Sequence, residues 1–82
     1  MIIFPHIPKT AGTSLRLAFA KYFGQNRCFY DYGVRSEFTS LVVNQFIYQE
    51  VDHWRLYKAL EESHGQVLAG HFSANKYIGL FG

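Results

Sequence analysis

The apolar positions of this chain fall into short runs divided by turn-forming residues, and the runs alternate between strand-like and helix-like spacing. Ile2 to Ile7 is a short apolar run followed at once by Pro8, Lys9, Thr10, Ala11 and Gly12, the pattern of a buried strand entering a tight loop. From Ser14, the residues Leu15, Ala18, Phe19 and Tyr22 recur at helical spacing while Arg16 and Lys21 fall elsewhere. Gly24 follows as a C-terminal cap, so a helix of about three turns is predicted after the loop. Cys28-Phe29-Tyr30 is β-favouring and bounded by Asn26 and Gly33, which predicts a second short strand returning beside the first.

Residues 36–51 stay open at this stage, because Leu41-Val42-Val43 and Phe46-Ile47-Tyr48 have strand composition in a stretch that also accepts helical spacing. Asp52 is placed to cap a helix that carries His53, Leu56, Tyr57 and Leu60 on one face and closes at Gly65. Gln66 to Ala69 reads as a further strand ending at Gly70 and His71. The alternation of strands and helices predicts an α/β fold with a parallel sheet and flanking helices.

Composition narrows the picture. Eighty-two residues allow one small domain, and a hydrophobic content of 49% with only 17% charged residues excludes a disordered chain. The formal charge of +2 is spread without a basic run, so no nucleic-acid or membrane-surface stripe is indicated. Cys28 is the single cysteine and reads as a buried thiol, which excludes an internal disulfide framework. The apolar opening ends at Pro5, too short for a signal peptide or a membrane span, and the expected origin is soluble and cytoplasmic.

The candidate chemistry lies between the first strand and the first helix. In a strand–loop–helix arrangement, the amides of the loop and first helical turn lack internal partners and converge on one spot that suits an anion. In Pro8-Lys9-Thr10-Ala11-Gly12-Thr13-Ser14, Gly12 allows close backbone approach, Thr13 and Ser14 add hydroxyls, and Lys9 adds a mobile positive charge. This is not the nucleoside-triphosphatase loop, in which the Gly-Lys-Ser/Thr triplet comes last. A bland reading of the same residues is an exposed turn with a helix cap.

His71 stands at the end of the last predicted strand. Open α/β sheets bind ligands at the carboxyl ends of their strands, the edge that also carries the Lys9 loop, and a histidine suits the removal of a proton from a hydroxyl. The alternative is a structural histidine that bonds a backbone carbonyl. His6 is expected to order the loop or pack in the sheet rather than take part in proton transfer, while His53 and His64 have no assigned chemistry. The histidines and Cys28 lack metal-ligand spacing, and no metal is expected.

The string His6-Ile7-Pro8-Lys9-Thr10-Ala11-Gly12-Thr13-Ser14 resembles the 5′-phosphosulfate loop of the sulfotransferases that use 3′-phosphoadenosine-5′-phosphosulfate (PAPS), most closely the heparan-sulfate 2-O- and 6-O-sulfotransferase branch. Ala69-Gly70-His71-Phe72 is similar to the Gly-His segment after a strand in the 2-O-sulfotransferases. The resemblance implies an α/β, P-loop-NTPase-like parallel sheet in which residues 1–82 form the N-terminal cofactor-binding portion. It implies PAPS as co-substrate, with the loop amides and Thr10, Thr13 and Ser14 on the 5′-phosphate. Lys9 would lie at the oxygen bridging phosphate and sulfate, and His71 would be the base that accepts the proton of a hydroxyl acceptor, plausibly a carbohydrate.

The resemblance implies a 3′-phosphate site in an Arg-Asp-Pro-type segment shortly after a Gly-Phe-Gly stretch; Ile78-Gly79-Leu80-Phe81-Gly82 is comparable to that stretch, and the Arg-Asp-Pro-type segment does not occur in these residues. The expectation is therefore a truncated sulfotransferase of weak or no turnover, with exposed sheet edges that favour self-association. Were the chain an excised eukaryotic domain, the resemblance would imply the Golgi lumen. Two other function classes fit parts of the pattern. One is a non-catalytic nucleotide- or anion-binding module that keeps the loop. The other is a phosphoryl transferase using ATP and Mg²⁺, against which stands the absence of a magnesium-binding Asp pattern after the strand.

Overall fold

A computed structural model describes residues 2–5, 9–73 and 76–77, with the side chains of residues 9–11 outside the description. Among the described residues three strands and three α-helices follow one another, with a 3-10 turn Gln25–Arg27 before the second strand: β1 (Ile2–Phe4), α1 (Lys9–Phe23), β2 (Cys28–Asp31), α2 (Leu41–Val43, continued by a π-helical stretch Asn44–Gln49), α3 (His53–Glu62) and β3 (Val67–Gly70). The sheet is parallel throughout in the order β1-β3-β2, with Ile2 opposite Val67 and Cys28 opposite the same residue on the other side. The predicted second strand is therefore present but does not return beside β1. The central place goes to β3, whose residues are all buried and which alone has apolar residues on both faces close to full burial.

Alternation along β3 divides the core in two. Val67 and Ala69 face α1 and pack with Phe19 and Cys28, supported by Leu15, Phe23 and Tyr30. Leu68 faces the opposite layer and packs with Val43, Ile47, Leu56, Leu60, Phe72 and Tyr77. A parallel sheet needs both faces covered, and helices on each side meet that need.

The first helix differs from the sequence-based expectation at its start and in its face. It begins at Lys9 rather than Ser14, so residues 9–14 are helical and not an extended loop. Its inward stripe runs through Gly12, Leu15, Phe19 and Phe23, while Ala18 and Tyr22 face solvent. Phe4 rests on Phe19 with ring centroids 5.1 Å apart, which fixes the angle at which β1 hands over to the helix. Gly24, at φ 94°, ends the helix as expected and returns its N–H to Ala20 O. The predicted strand positions at residues 6 and 7, and Pro8 after them, lie outside the described residues.

Within the open stretch 36–51, residues 41–49 form helix, and 36–40 and 50–51 are turns and connections. Ser40 precedes α2, which places Val43 in the core, and the π-helical continuation adds Ile47 to the core and sets Tyr48 over the carboxyl end of β2. The N-cap at Asp52 is as expected, its carboxylate accepting from Arg55 N–H at 3.1 Å. At the other end, His64 takes the left-handed conformation (φ 55°) that glycine prefers, donating to Glu61 O, while Gly65 N–H reaches Leu60 O. The pair of bonds is a Schellman closure shifted one residue ahead of the glycine.

Candidate functional site

Because the strands run parallel, their carboxyl ends share one edge. There the exit of β1 at Pro5, the Asp31–Gly33 segment after β2 and the Gly70–Phe72 segment after β3 come together. Phe72 N–H donates to Pro5 O at 2.9 Å, and His71 N–H donates to Asp31 O at 3.0 Å, so the β3 exit is stitched to both neighbours. Gly70 makes this possible: a Cβ there would stand 2.0 Å from Asp31 O. His71 is exposed at this edge.

The first amides of α1, at residues 9–11, precede the first intrahelical bond and concentrate the positive end of the helix dipole on the same edge. Gly12 is buried there, with Arg16 Nη1 2.8 Å and Tyr32 Oη 3.2 Å from the position a Cβ would take. Thr13 is exposed and accepts from Arg16 Nη2 at 3.2 Å, and Ser14 is also exposed. The side chains of Lys9, Thr10 and Ala11 lie outside the description, as does His6.

Beneath this edge is a buried charge network that no spacing in the sequence signals. Asp31 is fully buried and receives Tyr48 Oη at 2.5 Å and Gly33 N–H at 3.0 Å on one oxygen, and Lys76 Nζ at 2.8 Å and Tyr77 Oη at 2.6 Å on the other. Lys76 Nζ also donates to Tyr48 Oη at 2.6 Å. Burial by itself would raise the Asp31 pKa, but the bonds from Lys76, Tyr48, Tyr77 and Gly33 outweigh it and hold the carboxyl below its ordinary value. Lys76 is shifted the other way: desolvation works against its charge, and Asp31 and Tyr48 more than restore it, so its pKa lies above the usual lysine range. Burial and the neighbouring carboxylate push the Tyr77 phenol far up, which keeps it a proton donor.

The network fixes the segment that carries the site. Tyr32 follows Asp31, and the alternation of the strand turns its ring to the α1 side. Its N–H bonds Thr39 Oγ1 at 3.0 Å, whose hydroxyl donates to Gly33 O at 2.6 Å. Arg16 lies over the Phe38 ring at 4.1 Å and the Tyr32 ring at 5.6 Å. Cys28 is buried with its thiol pKa raised by desolvation, as suits a packing residue rather than a nucleophile. Among the described residues no group of three or more His, Cys, Asp or Glu side chains could hold a metal ion, and no helix is long and apolar enough to cross a membrane.

The structure thus brings the start of α1 and the His71 backbone to one edge of a small α/β domain with a three-stranded parallel sheet. It adds Arg16, Tyr32 and the Asp31 network, which sequence reasoning missed. An acid closing the apolar run Cys28-Phe29-Tyr30 was the one available hint. Comparisons with protein-family models, with curated proteins and with solved structures find no match to this chain.

Proposed function

We propose that the chain is the cofactor-binding portion of a PAPS-dependent sulfotransferase. The observation that carries this reading is the shared edge: the start of α1, whose first residues are Lys9-Thr10-Ala11-Gly12, and the Gly70-His71 segment meet at the carboxyl ends of parallel strands. A sulfuryl donor and a proton acceptor must meet in the same way. The resemblance of the nine-residue string supplies the identity of the donor, and a P-loop-NTPase-like origin of the sheet belongs to the same proposal.

In this reading the 5′-phosphate lies at the amides of residues 9–11, with the Thr10, Thr13 and Ser14 hydroxyls as further donors. The acceptor oxygen attacks sulfur, the bond from sulfur to the bridging oxygen breaks, and 3′-phosphoadenosine-5′-phosphate leaves. The acceptor proton passes to His71, and Lys9 offsets the charge that builds on the bridging oxygen. A carbohydrate hydroxyl as acceptor rests on the resemblance alone. The starting of α1 at Lys9 gives equal support to a second reading, a non-catalytic anion-binding module, since helix amides bind phosphate without His71 taking a proton.

Calorimetric titration with 3′-phosphoadenosine-5′-phosphate and with ATP, on the chain and on Lys9→Ala, tests the proposal. Binding of the bisphosphate in preference to ATP, weakened about tenfold or more in Lys9→Ala, is the expected result. Preference for ATP, or no binding of either, overturns it. Sulfuryl transfer from PAPS that is lost in His71→Ala with binding intact would separate the enzyme from the module.

A further inference from the structure

Tyr32 Oη is a buried side-chain polar atom without a hydrogen-bond partner among the described residues, in a residue only 9% exposed. An unpartnered hydroxyl is unfavourable in a folded chain and calls for a reason. Its surroundings give one. Tyr32 Oη and Arg16 Nη1 both reach the space above Gly12, 3.2 Å and 2.8 Å from where a Cβ would be, and Gly12 is the fourth residue of a 15-residue helix whose first amides lack intrahelical partners. With no Cβ of its own, Gly12 leaves that space to the Arg16 guanidinium and the Tyr32 hydroxyl.

Arg16 points to the same guest. Among the described residues no carboxylate pairs with it; its guanidinium contacts Thr13 Oγ1 and the faces of Phe38 and Tyr32. A guanidinium held on aromatic faces remains able to form a forked pair with a phosphate. The phenol cannot shift in the same way, since Thr39 holds its backbone and the Asp31 network anchors the residue before it.

We propose that Arg16 and Tyr32 complete, with the first turn of α1, a clamp for a tetrahedral oxyanion of the phosphate class. Resting on the cofactor reading above, this assigns Arg16 and Tyr32 to the 5′-phosphate of the nucleotide. Without ligand, the Arg16 side chain lies across the phenol. When the anion docks on the helix amides, the guanidinium swings from Phe38 to pair with it, and the uncovered Tyr32 hydroxyl donates to one of its oxygens. Binding thereby satisfies a donor that has no partner among the described residues.

The test is titration of the 82-residue chain, Tyr32→Phe and Arg16→Gln with 3′-phosphoadenosine-5′-phosphate and with inorganic pyrophosphate, alongside thermal melts of all three. Both variants should bind both probes about ten- to a hundredfold more weakly, the loss expected for a hydrogen bond to a charged group. Tyr32→Phe should melt no lower than the parent, because its hydroxyl bonds nothing among the described residues. Nucleotide binding that is unchanged in both variants overturns the clamp and leaves the cofactor reading standing. Pyrophosphate binding that depends on Arg16 and Tyr32, with no nucleotide binding, upholds the clamp and overturns the cofactor reading. Failure of the parent to bind either probe overturns both, and a lowered melting temperature in Tyr32→Phe overturns the assignment of Tyr32.

Discussion

Asp31 shows how one buried charge can organise a small protein. Its carboxylate accepts from three side chains and one backbone amide, and its carbonyl accepts from His71 N–H. Asn in its place offers one acceptor oxygen and turns an N–H₂ group toward hydroxyl and ammonium donors. Asp31→Asn is expected to cost about 3–5 kcal/mol, the range for breaking a buried pair, against a total of roughly 4–12 kcal/mol for a chain of this length. Tyr48→Phe should cost less, about 1–2 kcal/mol, since the carboxylate keeps its other donors.

The same residues set a pH dependence. Asp31 has its folded pKa depressed, so its contribution is present above the ordinary carboxylate value of about 4 and is lost as pH falls through the folded value. Lys76 has its folded pKa raised, so its contribution is full below about 10 and is lost as pH rises beyond that. Urea midpoints of the parent and Asp31→Asn should differ most near neutrality and converge below about pH 4. A gap that persists undiminished in acid would count against the assigned charge state. None of these partners is legible in the sequence, since Asp31 and Lys76 are joined only by the way the sheet and the last turn fold over one another.

At the scale of the element, the sequence was most informative where chemistry is local. The Asp52 cap, the Leu56–Leu60 face and the glycine after Phe23 all act within a few residues of themselves, and each stands where spacing placed it. The start of α1 was misjudged because Thr10, Gly12 and Thr13 are poor helix formers whose composition suits a loop. Packing decides instead: Gly12 is buried against the Tyr32 segment and Phe19 seats the helix on β1 and β3. The strand-like residues of 41–48 form helix for a similar reason, supplying Val43 and Ile47 to the face of Leu68.

Two turns carry side chains where glycine fits better. Val51 and His64 have φ of 51° and 55°, a conformation that costs an L-residue about 1 kcal/mol or more. Both are exposed, so Val51→Gly and His64→Gly each should stabilise by about 0.5–1 kcal/mol after the entropy of the unfolded glycine is counted. Chemical denaturation measures this directly, and destabilisation at position 64 would mean that the imidazole makes a compensating contact.

For the whole molecule, the α/β class and the parallel sheet were legible from the alternation of runs, while the strand order was not. Periodicity says which residues form strands and nothing about which strand stands between the others. The two outer strands are finished differently. Beside β2, Ser40 N–H donates to Tyr30 O and Ser40 Oγ accepts from Tyr30 N–H, so residues 39 and 40 cover that edge. On β1, Ile2 and Phe4 are 44% and 38% exposed. Self-association, if it follows from this sheet, should run through β1, and Ile2→Lys should lower the weight-average mass in sedimentation at high concentration, whereas an unchanged mass would assign association to another surface.

The place of β3 bears on how the chain assembles in time. Every pairing in the sheet has β3 as one member, yet β3 is the last of the three to be synthesised. While residues 2–62 emerge from a ribosome, β1 and β2 have no strand to lie against, and α1 and α3 have no completed sheet on which to bury their apolar faces. Helices can flicker during that interval but the core cannot close, because its contacts span most of the chain. Closure of this core therefore waits for Val67–Gly70, the strand on which both described sheet pairings depend.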